Sequence, residues 1–73
     1  MSASTVESSS LERALRHNSI PALRVLDIEE NEEKVILSGS VTSYYLKQLA
    51  QEAVLPLIGG RRLLNRVVVV RHN

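Results

Sequence analysis

Val35-Ile36-Leu37-Ser38-Gly39-Ser40-Val41 decides the fold of this 73-residue chain. Apolar residues alternate along it, pass a glycine and resume at Val41, which is the period-two pattern of a strand with one buried face. Val35, Leu37, Gly39 and Val41 share that face, and Ile36 lies on the other. Thr42-Ser43 follows at once as a helix start. Further on, Leu64-Asn65-Arg66-Val67-Val68-Val69 supplies another strand, so the two stretches frame a strand–helix–strand unit.

The helix between them carries an apolar stripe of Leu46, Leu49, Ala50, Ala53, Val54 and Leu57, with Tyr45 able to join it. Lys47, Gln48, Gln51 and Glu52 fall on the wet side. Pro56 and Gly59-Gly60 stop it. Upstream, Arg24 to Glu29 reads as a strand with Leu26 and Ile28 on one face and Val25 on the other. Glu29-Glu30-Asn31-Glu32-Glu33 is then a charged turn that returns the chain antiparallel into Lys34–Val41. Before it, Ser4-x-x-Glu7 and Ser9-x-x-Glu12 are two successive capping boxes, either of which can start a short helix with stripe Leu11, Ala14 and Leu15, stopped at Asn18 before Ile20-Pro21. Arg62 to Arg71 is the last strand, with Val67 and Val69 on one face and Val68 and Val70 on the other. The expected fold is α+β, in the order α-β-β-α-β. It packs two helices on one face of a three-stranded mixed sheet, with a right-handed crossover between the parallel strands. Residues 1–8 read as a flexible segment and residues 9–71 as a single domain.

Val35-x-Leu37-x-Gly39-x-Val41, Ser43 at the helix start, Lys47 and Ala50 within the helix, and Leu64-Asn65-Arg66-Val67-x-Val69 together resemble the BON domain, a module named for bacterial osmotic-stress and nodulation proteins. The resemblance spans about Leu11 to Val70. It implies a non-catalytic binding module without a cofactor, one that attaches to phospholipid surfaces or joins domains and subunits. Two features depart from the family pattern. The first hairpin is longer and more acidic than its usual tight glycine turn, and Gly60 stands where an apolar residue is usual.

Composition narrows the alternatives. With no cysteine, and Tyr44 and Tyr45 as the aromatic residues, the core has to be aliphatic. A net charge of +1 argues against a general polyanion binder. The charge is divided, however: the acids gather before Lys34 and the bases after it, with Glu52 the lone acid of the later part. Such asymmetry supports head-to-tail association or an oriented approach to an anionic surface. The start Met-Ser-Ala-Ser-Thr has neither the basic nor the apolar segment of a secretory signal. If Met1 is the native start, the expected location is cytoplasmic. No apolar run reaches transmembrane length.

Gly59-Gly60-Arg61-Arg62 offers backbone N–H groups and guanidinium forks suited to phosphate, with Arg66 on the same strand and Lys47 on the helix. Arg61, Arg62, Arg66 and Lys47 are therefore the candidate contacts to an anionic surface. The competing reading is a helix stop with solvated charges, because phosphate loops sit at helix starts. Val25, Ile36, Val68 and Val70 are expected together on the sheet face away from the helices, as a protein-contact surface that also suits a homo-oligomer. Gly39 reads as a close approach to the second helix or as a bulge, and Asn65 as a residue bonding nearby backbone. Asp27, Glu29, Asn31 and Glu33 alternate oxygens but lack the glycine of a calcium loop. No nucleophile–base pattern or metal motif marks an enzyme. A KH-like nucleic-acid binder ranks third, since the G-x-x-G loop is missing.

Overall fold

The computed structural model describes residues 10–70. Expectations for residues 1–9 and for Arg71 lie outside them, including the flexible start and the Ser4 and Ser9 capping boxes.

The first helix, α1 (Ser10–Arg16), buries Leu11 and Leu15. Seven residues are too few for a stable helix in water. Each fully buried leucine contributes about 1.5–3 kcal/mol, so packing holds this helix. Asn18 follows, and its Oδ1 accepts the N–H of Ile20 at 2.9 Å, turning the chain. Pro21 then opens a second short helix, α2 (Pro21–Arg24), with proline in the first turn, where its missing N–H costs nothing.

This corrects the expected strand from Arg24. The extended segment β1 (Asp27–Glu30) begins three residues later. Leu23 and Leu26 are buried, while Val25 lies at the end of α2, exposed and off the sheet. Arg16 fixes this corner: its Nη1 donates to the carbonyls of Arg24 at 3.0 Å and Leu26 at 2.8 Å, and its Nη2 pairs with Glu12.

Strand β2 (Lys34–Ser38) runs antiparallel to β1. The acidic turn between them is organised by Asn31, whose Oδ1 accepts the N–H groups of Glu33 and Lys34. Gly39 interrupts β2, and the chain resumes as β3 (Ser40–Val41). Its φ of 125° suits glycine, and a Cβ there would sit 2.7 Å from Leu26 Cδ2. The close neighbour is thus the segment entering β1, in place of the expected helix after Ser43.

Helix α3 (Tyr44–Val54) starts as the sequence predicts, with Ser43 Oγ accepting the N–H of Leu46. Ala50 and Val54 are buried, and Leu46 and Leu49 pack against the core. Tyr45 is 70% exposed and does not join the stripe. A 3-10 turn at Leu55–Leu57 tightens the end of the helix, leaving Leu57 exposed and Ile58 buried in its place. Gly59 and Gly60, both at positive φ, then release the chain into β4 (Arg62–Asn65) and β5 (Val68–Val69).

The fold is α+β. The three-stranded mixed sheet has the order β1-β2-β4, with β2 and β4 parallel, and β3 pairs with β5 beside it. These are one pairing in two pieces. The N–H groups of Arg62, Arg66, Val68 and Val70 donate to the carbonyls of Glu33, Leu37, Gly39 and Val41 at 2.7–3.1 Å. Helices α1 and α3 pack on each other, and their buried side chains meet Val35, Leu37, Val41 and Val67 in one aliphatic core.

Candidate functional site

Exposure alternates along the last strand. Leu63, Asn65, Val67 and Val69 are buried or half-buried, whereas Arg62, Arg66, Val68 and Val70 are exposed and Leu64 is half-buried. Period-two geometry therefore puts Arg62, Leu64, Arg66, Val68 and Val70 on the sheet face away from the helices. On β2 the same face carries Lys34 and Ile36. The register sets Lys34 beside Arg62 and Ile36 beside Leu64. On β1 it carries Asp27 and Glu29, with Glu29 opposite Ile36. The open face is thus graded, from an acidic edge through an apolar middle to a basic edge that runs on into exposed valines.

The predicted anionic-surface residues do not form one group. Arg61 is committed to the fold. Its Nη1 donates to Glu30 Oε1 at 2.8 Å and to Asn31 O at 3.1 Å, and its Nε donates to Ile58 O at 2.7 Å. It ties the turn after α3 to the hairpin tip. Lys47 is on α3, on the helix side of the sheet, where its carbonyl accepts from Asn65 Nδ2. Arg62 and Arg66 remain together on the open face, and neither guanidinium has a hydrogen bond or ion pair among the described residues. Lys34 joins them through the parallel register, which no local motif reveals. A shallow hollow between Glu33, Lys34 and Arg62 lies at this end of the face.

The predicted protein-contact residues also separate. Ile36 lies on the open face beside Leu64. Val68 and Val70 continue that face past the three-stranded part, 57% and 40% exposed. Val25 is elsewhere. The continuous four-residue patch is replaced by a strip along one edge strand, in which Leu64 is a member that the sequence reading did not single out.

Two residues with a structural alternative take it. Asn65 donates to Lys47 O at 3.2 Å and to Gln51 Oε1 at 3.3 Å, and its Oδ1 accepts the N–H of Val67 at 3.2 Å. Both ends of the amide are spent linking strand to helix. Asn31 spends its side-chain oxygen on the acidic turn. Among the described residues no three His, Cys, Asp or Glu side chains are placed to hold a metal ion, and no helix is long and apolar enough to cross a membrane. Comparison of the chain with family models, with curated proteins and with solved structures gives no match.

Proposed function

We propose that the chain is a non-catalytic binding module of BON type that attaches to anionic phospholipid surfaces through the basic edge of its open sheet face. One observation carries this reading. Arg62 and Arg66 stand exposed and unpaired among the described residues on the same face of one strand as Leu64, Val68 and Val70. Guanidinium groups suit headgroup phosphates, and neighbouring aliphatic side chains suit the acyl boundary beneath them. Lys34 adds a third cation beside Arg62. The acidic residues Asp27 and Glu29 lie two strand spacings away, roughly 10 Å, so the face meets the surface on its β4 side. Near-surface basic residues contribute about 1 kcal/mol each toward anionic membranes. Three of them give weak, reversible attachment that the valines strengthen.

Co-sedimentation with phosphatidylserine-containing and with neutral phosphatidylcholine vesicles tests this. Wild-type protein is expected to bind the anionic vesicles in low salt and to leave them in high salt. Arg62→Gln with Arg66→Gln is expected to abolish binding, and Arg61→Gln to leave it in place. Equal binding to both vesicle types, or binding that survives the Arg62 and Arg66 changes, would discard the proposal. Salt-sensitive binding to single-stranded RNA with none to vesicles would favour the KH-like alternative instead.

A further inference from the structure

We propose that the two edges of the sheet join one another between copies of this chain, with β1 of one copy adding to β4 of the next. The inference starts from two strands that have a neighbour on one side. In the sheet order β1-β2-β4, the outer strands are the two edges. The N–H groups of Arg62 and Arg66 turn inward to the β2 segment, so strand alternation turns the backbone groups of Leu63 and Asn65 outward. On β1 the inward bond of Asn31 N–H to Lys34 O places the backbone groups of Ile28 outward in the same way. Each edge therefore presents a row of donors and acceptors.

Charge selects which edges can meet. The β1 edge carries Asp27 and Glu29 on its open face, with Glu32 and Glu33 in the turn after it, while Glu30 is paired with Arg61. The β4 edge carries Arg62 and Arg66. Like charges directly opposite each other destabilise a strand pair, and opposite charges favour it. Acid against acid disfavours β1 with β1, and base against base disfavours β4 with β4. Of the three possible edge pairings, β1 with β4 remains. Direction also fits. Within one copy β1 runs antiparallel to β2, and β2 runs parallel to β4. Two copies in the same orientation thus bring β4 and β1 side by side as antiparallel neighbours, with both open faces on the same side. On that face Asp27 and Glu29 come across from the Arg62–Arg66 segment. The contact is heterologous, so each copy keeps one edge of each kind for a further copy.

Charged edges also serve to keep strands apart altogether, and charge swapping separates the two roles. The full chain is measured by sedimentation velocity over a range of concentrations, in low and in high salt, without lipid. Wild-type mass is expected to rise with concentration in low salt and fall back in high salt. Asp27→Lys with Glu29→Lys makes the open-face charges of both edges basic, and Arg62→Glu with Arg66→Glu makes them both acidic. Each variant alone is expected to associate at least about tenfold more weakly, and an equimolar mixture of the two is expected to regain association. Should a reversal unfold the chain by circular dichroism, Asp27→Asn with Glu29→Gln replaces it, with a several-fold weakening expected. A wild type that stays monomeric throughout overturns the proposal, as does a folded variant that associates like wild type or a folded mixture that stays apart. The pairing and the proposed membrane attachment share Arg62 and Arg66, so the acidic edge is where the two are told apart. Asp27→Lys with Glu29→Lys is expected to remove self-association while leaving anionic-vesicle binding intact, so either idea can fail without the other.

Discussion

Along Arg62–Val70 the same backbone serves two surfaces that treat their side chains differently. Toward the helices, Val67 is 2% exposed and Asn65 has a partner for both ends of its amide. Away from them, Arg62 and Arg66 have no partner among the described residues, and Val68 and Val70 meet solvent. Because both surfaces hang on one set of ladder hydrogen bonds, the contrast isolates the side chains. The inward set decides whether the chain folds, and the outward set faces solvent. A change on one side should therefore move one property and leave the other.

Gly39→Ala probes the inward surface at its tightest point and carries the largest expected effect. It forces an L residue to a φ of 125° and drives a Cβ to 2.7 Å from Leu26 Cδ2. Backbone strain and overpacking together cost about 3 kcal/mol or more. A domain of this size has roughly 3–5 kcal/mol from its core, so urea denaturation should find the variant largely unfolded. A midpoint within experimental error of wild type would break the comparison at its root. Asn65→Ala is the intermediate case. It leaves the Val67 N–H without its acceptor and removes the link to α3, and the expected loss is about 1–3 kcal/mol in the same titration. Val68→Thr with Val70→Thr is the smallest for stability, within about 0.5 kcal/mol, yet it should lower the affinity for anionic vesicles measurably. Unfolding by this pair would show that the outward surface also holds the fold.

The inward surface was largely legible in the sequence, and the outward one was not. Val35, Leu37 and Val41 are buried as their alternation predicts, and Ser43 caps α3 through the bond its position implies. Those signals are local. The entry to β1 is not legible because Asn18 stops the first helix and the residues after Ile20-Pro21 read as extended, whereas proline in the first turn opens a second helix. That reading puts Val25 on the sheet, whereas it stands exposed at the end of α2. The 3-10 turn at Leu55–Leu57 rotated Ile58 into the core ahead of Leu57, a shift that helical periodicity does not encode. The grouping of the candidate site residues was not legible for a different reason. Arg61 pairs with Glu30 across the fold, and Lys34 reaches Arg62 only through a parallel register. Contacts at such separations leave no spacing to read. The charge division, by contrast, was visible at once, and the topology turned it into one acidic and one basic sheet edge.

The parallel pairing of β2 with β4 has a consequence in time. β2 ends at Ser38, and its partner begins at Arg62, beyond the whole of α3. During synthesis at about 5–20 residues per second, the intervening stretch takes on the order of seconds to emerge. For that interval β2 has β1 as its one possible strand neighbour, a pair that is marginal in water by itself, and its Val35-Ile36-Leu37 edge toward β4 is bare. Helix α3 can cover its face, but only the last strand can close its edge. The nascent chain thus passes through a window in which an apolar strand waits for its partner, and a ribosome that stalls within it would hold an aggregation-prone hairpin in place of a finished domain.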